Sequence, residues 1–219
     1  IIHVAFNTQV RVIDFVQNYE SISFYEALKS LADRAGIVLK DYQRTSEDEE
    51  REQLLAILDL AKEYYHYLLT EHQVGQLARD YLTERGIKAE SIKIFQLGYA
   101  LDDWDALIKY LHVKKKFPLA LIEKTGLLVR SKNGGFYDRF RGRLMFPLKN
   151  HRGQVVGFSG RVLDKAAKEA KYINAPETSL YHKSKMLFGY SELLKEIRKK
   201  EKVLVVEGEF DVISSTQAH

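Results

Sequence analysis

The sequence predicts an α+β chain with a helical N-terminal part, a mixed antiparallel β/α subdomain rich in basic residues, and the opening strand of an α/β unit. Three observations carry that prediction. Apolar residues recur at helical spacing over most of the first 125 positions. Two strand-like runs then flank Asn150-His151-Arg152-Gly153, which is hairpin chemistry. Finally, Val203-Leu204-Val205-Val206 reads as a strand buried on both faces, and Glu207-Gly208 breaks it where the chain turns towards a helix.

The helices follow in order. Residues 1 to 11 show no clear period, and a chain that starts on Ile-Ile-His rather than Met is expected to be cut there. Val12, Phe15, Val16 and Tyr19 fit a short amphipathic helix, and Ser23 begins a second that Gly36 stops. Residues 40 to 52 are almost wholly polar and read as a linker running into an acid-rich helix start. Leu54, Ile57, Leu58, Ala61, Tyr65 and Leu68 then make the apolar stripe of a long helix. Its Tyr64, Tyr65 and Tyr67 share that stripe's period, so packing is the plainer reading than base stacking. Further helices are expected over 76 to 84, stopped by Gly86, and over 88 to 95, with Gly98 as a break. Asp102-Asp103-Trp104 caps the helix that ends near His112, Lys114-Lys115-Lys116 is a solvated loop, and 119 to 125 is a short helix capped by Gly126.

Strands come next. Residues 143 to 148 and 154 to 159 form the hairpin, and Pro147 argues that the first strand is an edge or bulged. Residues 191 to 200 are an amphipathic helix leading into the 203 to 206 run. In open α/β sheets ligands bind at the C-terminal edge of strands, so Glu207 is the first candidate for chemistry, and capping the next helix is its bland alternative.

Composition bounds the function. At 219 residues, 45% hydrophobic and 11% aromatic, the chain supplies a packed core. No run approaches the roughly 18 apolar residues of a membrane span, and no export signal is evident, so no membrane partner is expected. The absence of Cys excludes a disulfide framework or a thiolate zinc site within these residues, and it fits a cytoplasmic protein. The net charge of +4 conceals a segregation: residues 130 to 202 hold 18 Lys or Arg against 7 Asp or Glu, a net of +11, and the remainder carries −7. That asymmetry points to a polyanion, nucleic acid or nucleotide phosphates, with a solvated basic face as the alternative.

Three stretches in the basic region could carry chemistry. If extended, Asp138-Arg139-Phe140-Arg141-Gly142-Arg143 projects Arg139, Arg141 and Arg143 to one side as a comb of phosphate donors, the alternative being a charged edge strand. Ser159-Gly160-Arg161 ends the second strand with an arginine after a small pair. The polar stretch 171 to 178 with Tyr181-His182-Lys183 reads as a loop offering Lys171, Asn174 and Lys183 to phosphate or sugar.

Arg139-Phe140-Arg141, Gly157-Phe158-Ser159-Gly160-Arg161, Lys171-Tyr172-Ile173-Asn174-Ala175-Pro176-Glu177-Thr178, and Val205-Val206-Glu207-Gly208 through Asp211 stand in the order and spacing seen in bacterial replicative DNA primases of the DnaG type. From about Val12 to its end the chain resembles that family. The resemblance implies a DNA-directed RNA polymerase that makes short RNA primers on single-stranded DNA from NTPs, with a toprim α/β subdomain holding Mg²⁺ or Mn²⁺. By the same resemblance, Glu207 is the acid of the metal site and Asp211 belongs to its signature. Arg161, Lys171, Asn174 and Lys183 contact template and nucleotide, Arg139 and Arg141 form a paired-arginine motif, and Arg85 matches a further basic position.

The implied organisation is 1–40 as a helical remnant and linker after a zinc ribbon, 41–201 as the N-terminal basic subdomain, and 202–219 as a truncated start of the toprim subdomain. Two departures stand out. The family's Asp-x-Asp pair and its zinc-binding cysteines have no counterpart here, and neither does its helicase-binding C-terminal domain. Metal binding is therefore expected to be weak, and this polypeptide alone is expected to make no primers. The competing readings are a single-stranded nucleic-acid-binding module without catalysis and another toprim protein, a topoisomerase or nuclease.

Overall fold

A computed structural model describes residues 12–20, 22, 24–39, 45–164 and 170–218. The expectations for residues 1 to 11 and for residues 40–44 of the polar linker lie outside them, whereas 46–52, the acid-rich part of that stretch, are helical. The chain divides into two compact units, 1–52 and 53–219.

The first unit is helical. Helices α1 (Val12–Glu20) and α2 (Phe24–Ala35) pack together, and Gly36 ends α2 with a φ of +67°. Helix α3 (Ser46–Thr70) starts here and runs through the boundary. Its start is a capping box: the Asp48 N–H donates to Thr45 Oγ1 at 3.1 Å, and the Thr45 N–H donates back to Asp48 Oδ2 at 3.2 Å.

In the second unit α3 is followed by a 3₁₀ turn (Gln73–Gly75), α4 (Gln76–Glu84) and α5 (Ala89–Ile94). Strand β1 (Gly98–Ala100) comes next, at the position expected only to break a helix. Its Gly98 has a close-approach reason to lack a side chain, because a Cβ there would lie 2.5 Å from Tyr65 Cβ. Helix α6 (Ala106–Ile108) continues as a π-helical segment (Lys109–Lys114), and α7 (Leu119–Lys124) precedes a two-stranded ladder of β2 (Leu128–Arg130) and β3 (Phe136–Asp138). The hairpin β4 (Arg143–Lys149) and β5 (Val155–Val162) forms as expected. The Asn150 side chain builds its turn, accepting from the Arg152 and Gln154 N–H groups, while Gly153 takes a φ of +80°.

The segment expected as a polar loop contributes a third antiparallel partner, β6 (Tyr172–Asn174), so the sheet order is β1-β4-β5-β6. Pro147 sits on β4 beyond the reach of the three-residue β1, where β4 is locally an edge, and a bulge follows between Leu148 and Lys149. Side chains alternate between two cores. Met145 and Phe158 meet the α3 stripe of Ile57, Leu58, Ala61 and Tyr65. Leu144 and Phe146 face the other way, onto Leu82, Phe95, Phe210 and Ile213. Covered on both faces, β4 reads as an unbroken apolar run.

After a 3₁₀ turn (Lys183–Lys185), α8 (Tyr190–Lys200) and α9 (Glu209–Gln217) close the unit. A buried ion pair, Lys149 Nζ to Glu192 Oε1 at 2.9 Å, ties α8 to the sheet. The expected strand at 203–206 does not form. Val203, Leu204 and Val205 are 67%, 67% and 72% exposed and join no ladder among the described residues. An apolar β-branched run becomes a strand only where a neighbour satisfies its backbone groups, and no described strand does so here. No described helix is long and apolar enough to cross a membrane.

Candidate nucleic-acid interface

The sheet face opposite α3 is where the basic residues gather. Across β5 and β6, Ser159 stands opposite Asn174 and Arg161 opposite Tyr172, and all four share that face by strand alternation. Around them opens a cleft of about 750 Å³. Arg85 enters it from the C-cap of α4, Lys171 from the start of β6, Lys183 from the 3₁₀ turn, and Glu207 and Asp211 from the bend and first turn of α9. Seven of the nine residues singled out in the sequence therefore line one cavity.

Four cations, Arg85, Arg161, Lys171 and Lys183, line the cleft together with three carboxylates, Glu207, Glu209 and Asp211. Arg85, Arg161, Lys171 and Lys183 pair with no carboxylate among the described residues. Arg161 Nη1 instead donates to the Tyr172 hydroxyl at 2.6 Å, and its guanidinium lies over the Tyr81, Tyr172 and Phe210 rings. Burial raises the Tyr172 phenol, with Arg161 pulling the other way. Arg161 is only 8% exposed, yet its Nε has no partner, and neither has the buried Ser159 Oγ. Both belong to residues that line the cleft, and polar groups left unpaired in this way are costly to bury.

Arg139 and Arg141 are elsewhere, and the comb does not form. The chain bends at 139–142, with Gly142 at a φ of +57°, so the three arginines diverge. Arg143 is 2% exposed and donates to the Ala170 carbonyl at 3.0 Å, which makes it a core residue. Arg139 Nε donates to the Gly126 carbonyl at 2.7 Å, and burial pulls its guanidinium below the ordinary value. Arg141 lies over the exposed Trp104 ring at 4.1 Å, beside Tyr137, forming a separate cationic and aromatic patch. Tyr64 and Tyr65 pack against the core as the apolar period implied.

Sequence reasoning missed Tyr81, Ser159, Tyr172 and Phe210 as parts of the site. The two-residue spacing of Ser159 and Arg161 on a strand was the available signal for Ser159. Glu207 is exposed at the rim, and Asp211 turns its carboxylate back towards Gly208, where a Cβ would meet Oδ2 at 3.2 Å. No group of three or more His, Asp or Glu side chains suited to a metal ion exists among the described residues. Mg²⁺ is commonly held by one or two carboxylates with waters and phosphates, so Glu207 and Asp211 alone would hold the expected metal only weakly.

The fold has known counterparts. The sequence model for the DNA primase catalytic core, N-terminal domain, matches residues 64–194. A DNA primase of Geobacillus stearothermophilus is 41% identical over 210 residues, covering 93% of this chain and 35% of that protein. The crystal structure of the RNA polymerase domain of Mycobacterium tuberculosis primase DnaG superposes with a TM-score of 0.71 at 38% identity, over 77% of this chain and 54% of that one. A DnaG primase catalytic domain bound to ssDNA gives 0.70 at 36% identity, over 77% and 51%. The chain spans about a third of the length of the curated relatives it matches. Fold and sequence thus agree, and the chain belongs to the family of the DNA primase catalytic core, N-terminal domain.

Proposed function

We propose that this chain supplies the nucleic-acid- and nucleotide-gripping part of an enzyme that makes short RNA primers on single-stranded DNA. One observation carries the reading: four cations without carboxylate partners converge, with two buried unpartnered polar atoms, on a single cleft. Guanidinium and ammonium groups left uncompensated are attracted to phosphate, and Arg161 offers a fork that a phosphate oxygen can accept. Asn174, beside Ser159, adds a neutral donor and acceptor suited to sugar or base. The relative bound to ssDNA supports the same partner.

The Arg141, Trp104 and Tyr137 patch is proposed as a second contact, since an exposed indole with a stacked guanidinium suits a base face. Glu207 and Asp211 place negative charge at the rim of the cleft, and Glu207 is proposed as one carboxylate of a divalent-metal site completed by groups other than the described ones. No step of the reaction is derived through that metal.

Titration of a labelled oligothymidylate against salt tests the proposal. Log affinity should fall linearly with log salt, and Arg161→Ala and Lys171→Ala should each weaken binding and flatten the slope by about 0.7. Unchanged affinity and slope in both variants would leave the cleft as a solvated surface.

A further inference from the structure

Two arginines of the cleft rest on the same two aromatic rings. The guanidinium carbon of Arg85 lies 5.1 Å from the Tyr81 centroid and 5.0 Å from that of Phe210. For Arg161 the corresponding distances are 5.5 and 5.2 Å. The rings themselves meet edge to face, 6.1 Å apart at 68°, and Phe146 backs Phe210 from the sheet at 5.4 Å and 81°.

The bracket has a second fastening. At the far end of α9, Gln217 Nε2 donates to the Gly86 carbonyl at 2.9 Å, and its Oε1 accepts from the Lys88 N–H at 2.7 Å. The turn that carries Arg85 is therefore held by α9 at both ends, by a ring and by an amide. Phe210 itself lies between Glu207 and Asp211 in sequence, in the first turn of α9.

Like charges brought this near each other repel, and the usual remedy is a carboxylate between them. A carboxylate would cancel the charge that a phosphate is meant to meet. Ring faces attract guanidinium carbon while leaving the N–H edges free, so they hold the pair without spending its donors. We propose that Phe210 is the positioning residue of the cleft: with Tyr81 it sets Arg85 and Arg161 at a fixed spacing and registers both against the acid-bearing turn. This rests on the cleft being a phosphate site.

The test is a mutant cycle on the 219-residue chain, read by oligothymidylate affinity with melting temperature alongside. Phe210→Leu removes the ring and should weaken binding about fivefold, the loss of two modest cation–π contacts. Phe210→Tyr and Phe210→Trp restore a ring and should restore affinity. In a background of Arg85→Ala with Arg161→Ala nothing remains to be positioned, so Phe210→Leu should change affinity less than about twofold. Additive effects in that background, or failure of both aromatic variants to rescue a folded protein, overturn the proposal. If the double arginine variant binds like wild type, the phosphate-site reading falls first and this one with it.

Discussion

Arg161 and Tyr172, cross-strand partners on β5 and β6, are joined by a 2.6 Å hydrogen bond from guanidinium to phenol. The bond fixes one end of the guanidinium and leaves its buried Nε without a partner. Tyr172→Phe keeps the ring beneath Arg161 and removes only that restraint. We expect a loss of about two- to fivefold in single-stranded DNA affinity, less than a full hydrogen bond to a charged group is worth because the bond orients Arg161 and does not itself touch the ligand, with little change in melting temperature. Titration beside calorimetry checks both. Full affinity would show that the rings alone orient Arg161.

The Asp138 carboxylate, 2% exposed, accepts from the Leu107 N–H at 2.6 Å and the Ile108 N–H at 3.1 Å, capping α6 from a strand thirty residues away. Burial pushes its pKa up to about 7, the two N–H groups pull it down, and the negative charges of Asp105 and Asp103 push it up again. Tyr64, Tyr65 and Lys109 are the other titratable groups that feel its charge. An acid whose folded pKa exceeds its unfolded value of about 3.9 binds more protons when folded, so its contribution to stability falls as pH rises from about 4 to 7. Asp138→Asn cannot titrate. The stability of wild type relative to that variant should decline over this window, measured by urea unfolding at a series of pH values. A constant difference would place the Asp138 pKa in the ordinary range.

Gly98 tests the packing of the edge strand on α3. An added methyl must displace Tyr65, whose Cβ lies at 2.5 Å and carbonyl carbon at 2.8 Å from the site it would occupy. Gly98→Ala should cost about 2 kcal/mol in urea unfolding, typical of overpacking against backbone. A neutral result would mean that β1 can slide away from the helix.

Much of this was legible in the chain, for reasons that differ by residue. Local chemistry announced the hairpin, since Asn150 and Gly153 build its turn unaided, and the helix stops at Gly36, Gly86 and Gly126 need only a positive φ. The apolar period along α3 named its buried face. What failed depended on distant partners. The 203–206 run has strand composition, but a strand is a relation to a neighbour. The arginine comb assumed extended backbone through a stretch that Gly142 turns, and Arg143 finds carbonyl acceptors in the core. Asp138 as a cap, Gly98 as a strand residue and β6 as an edge each depend on a partner distant in sequence that no local pattern identifies. The basic cleft was foreseen through charge segregation and family resemblance, and the rings beneath its arginines were not.

Single-stranded DNA is expected to lie in the cleft, and site-specific photocrosslinking measures that location. Leu187 lines the cleft and is exposed, whereas Val113 is exposed on the π-helical segment away from it. With a photoreactive phenylalanine analogue at each position in turn, a labelled oligothymidylate should crosslink at 187 and not at 113, and Arg161→Ala should abolish the signal. Equal yields at both positions, or a yield at 187 indifferent to Arg161, would contradict the account.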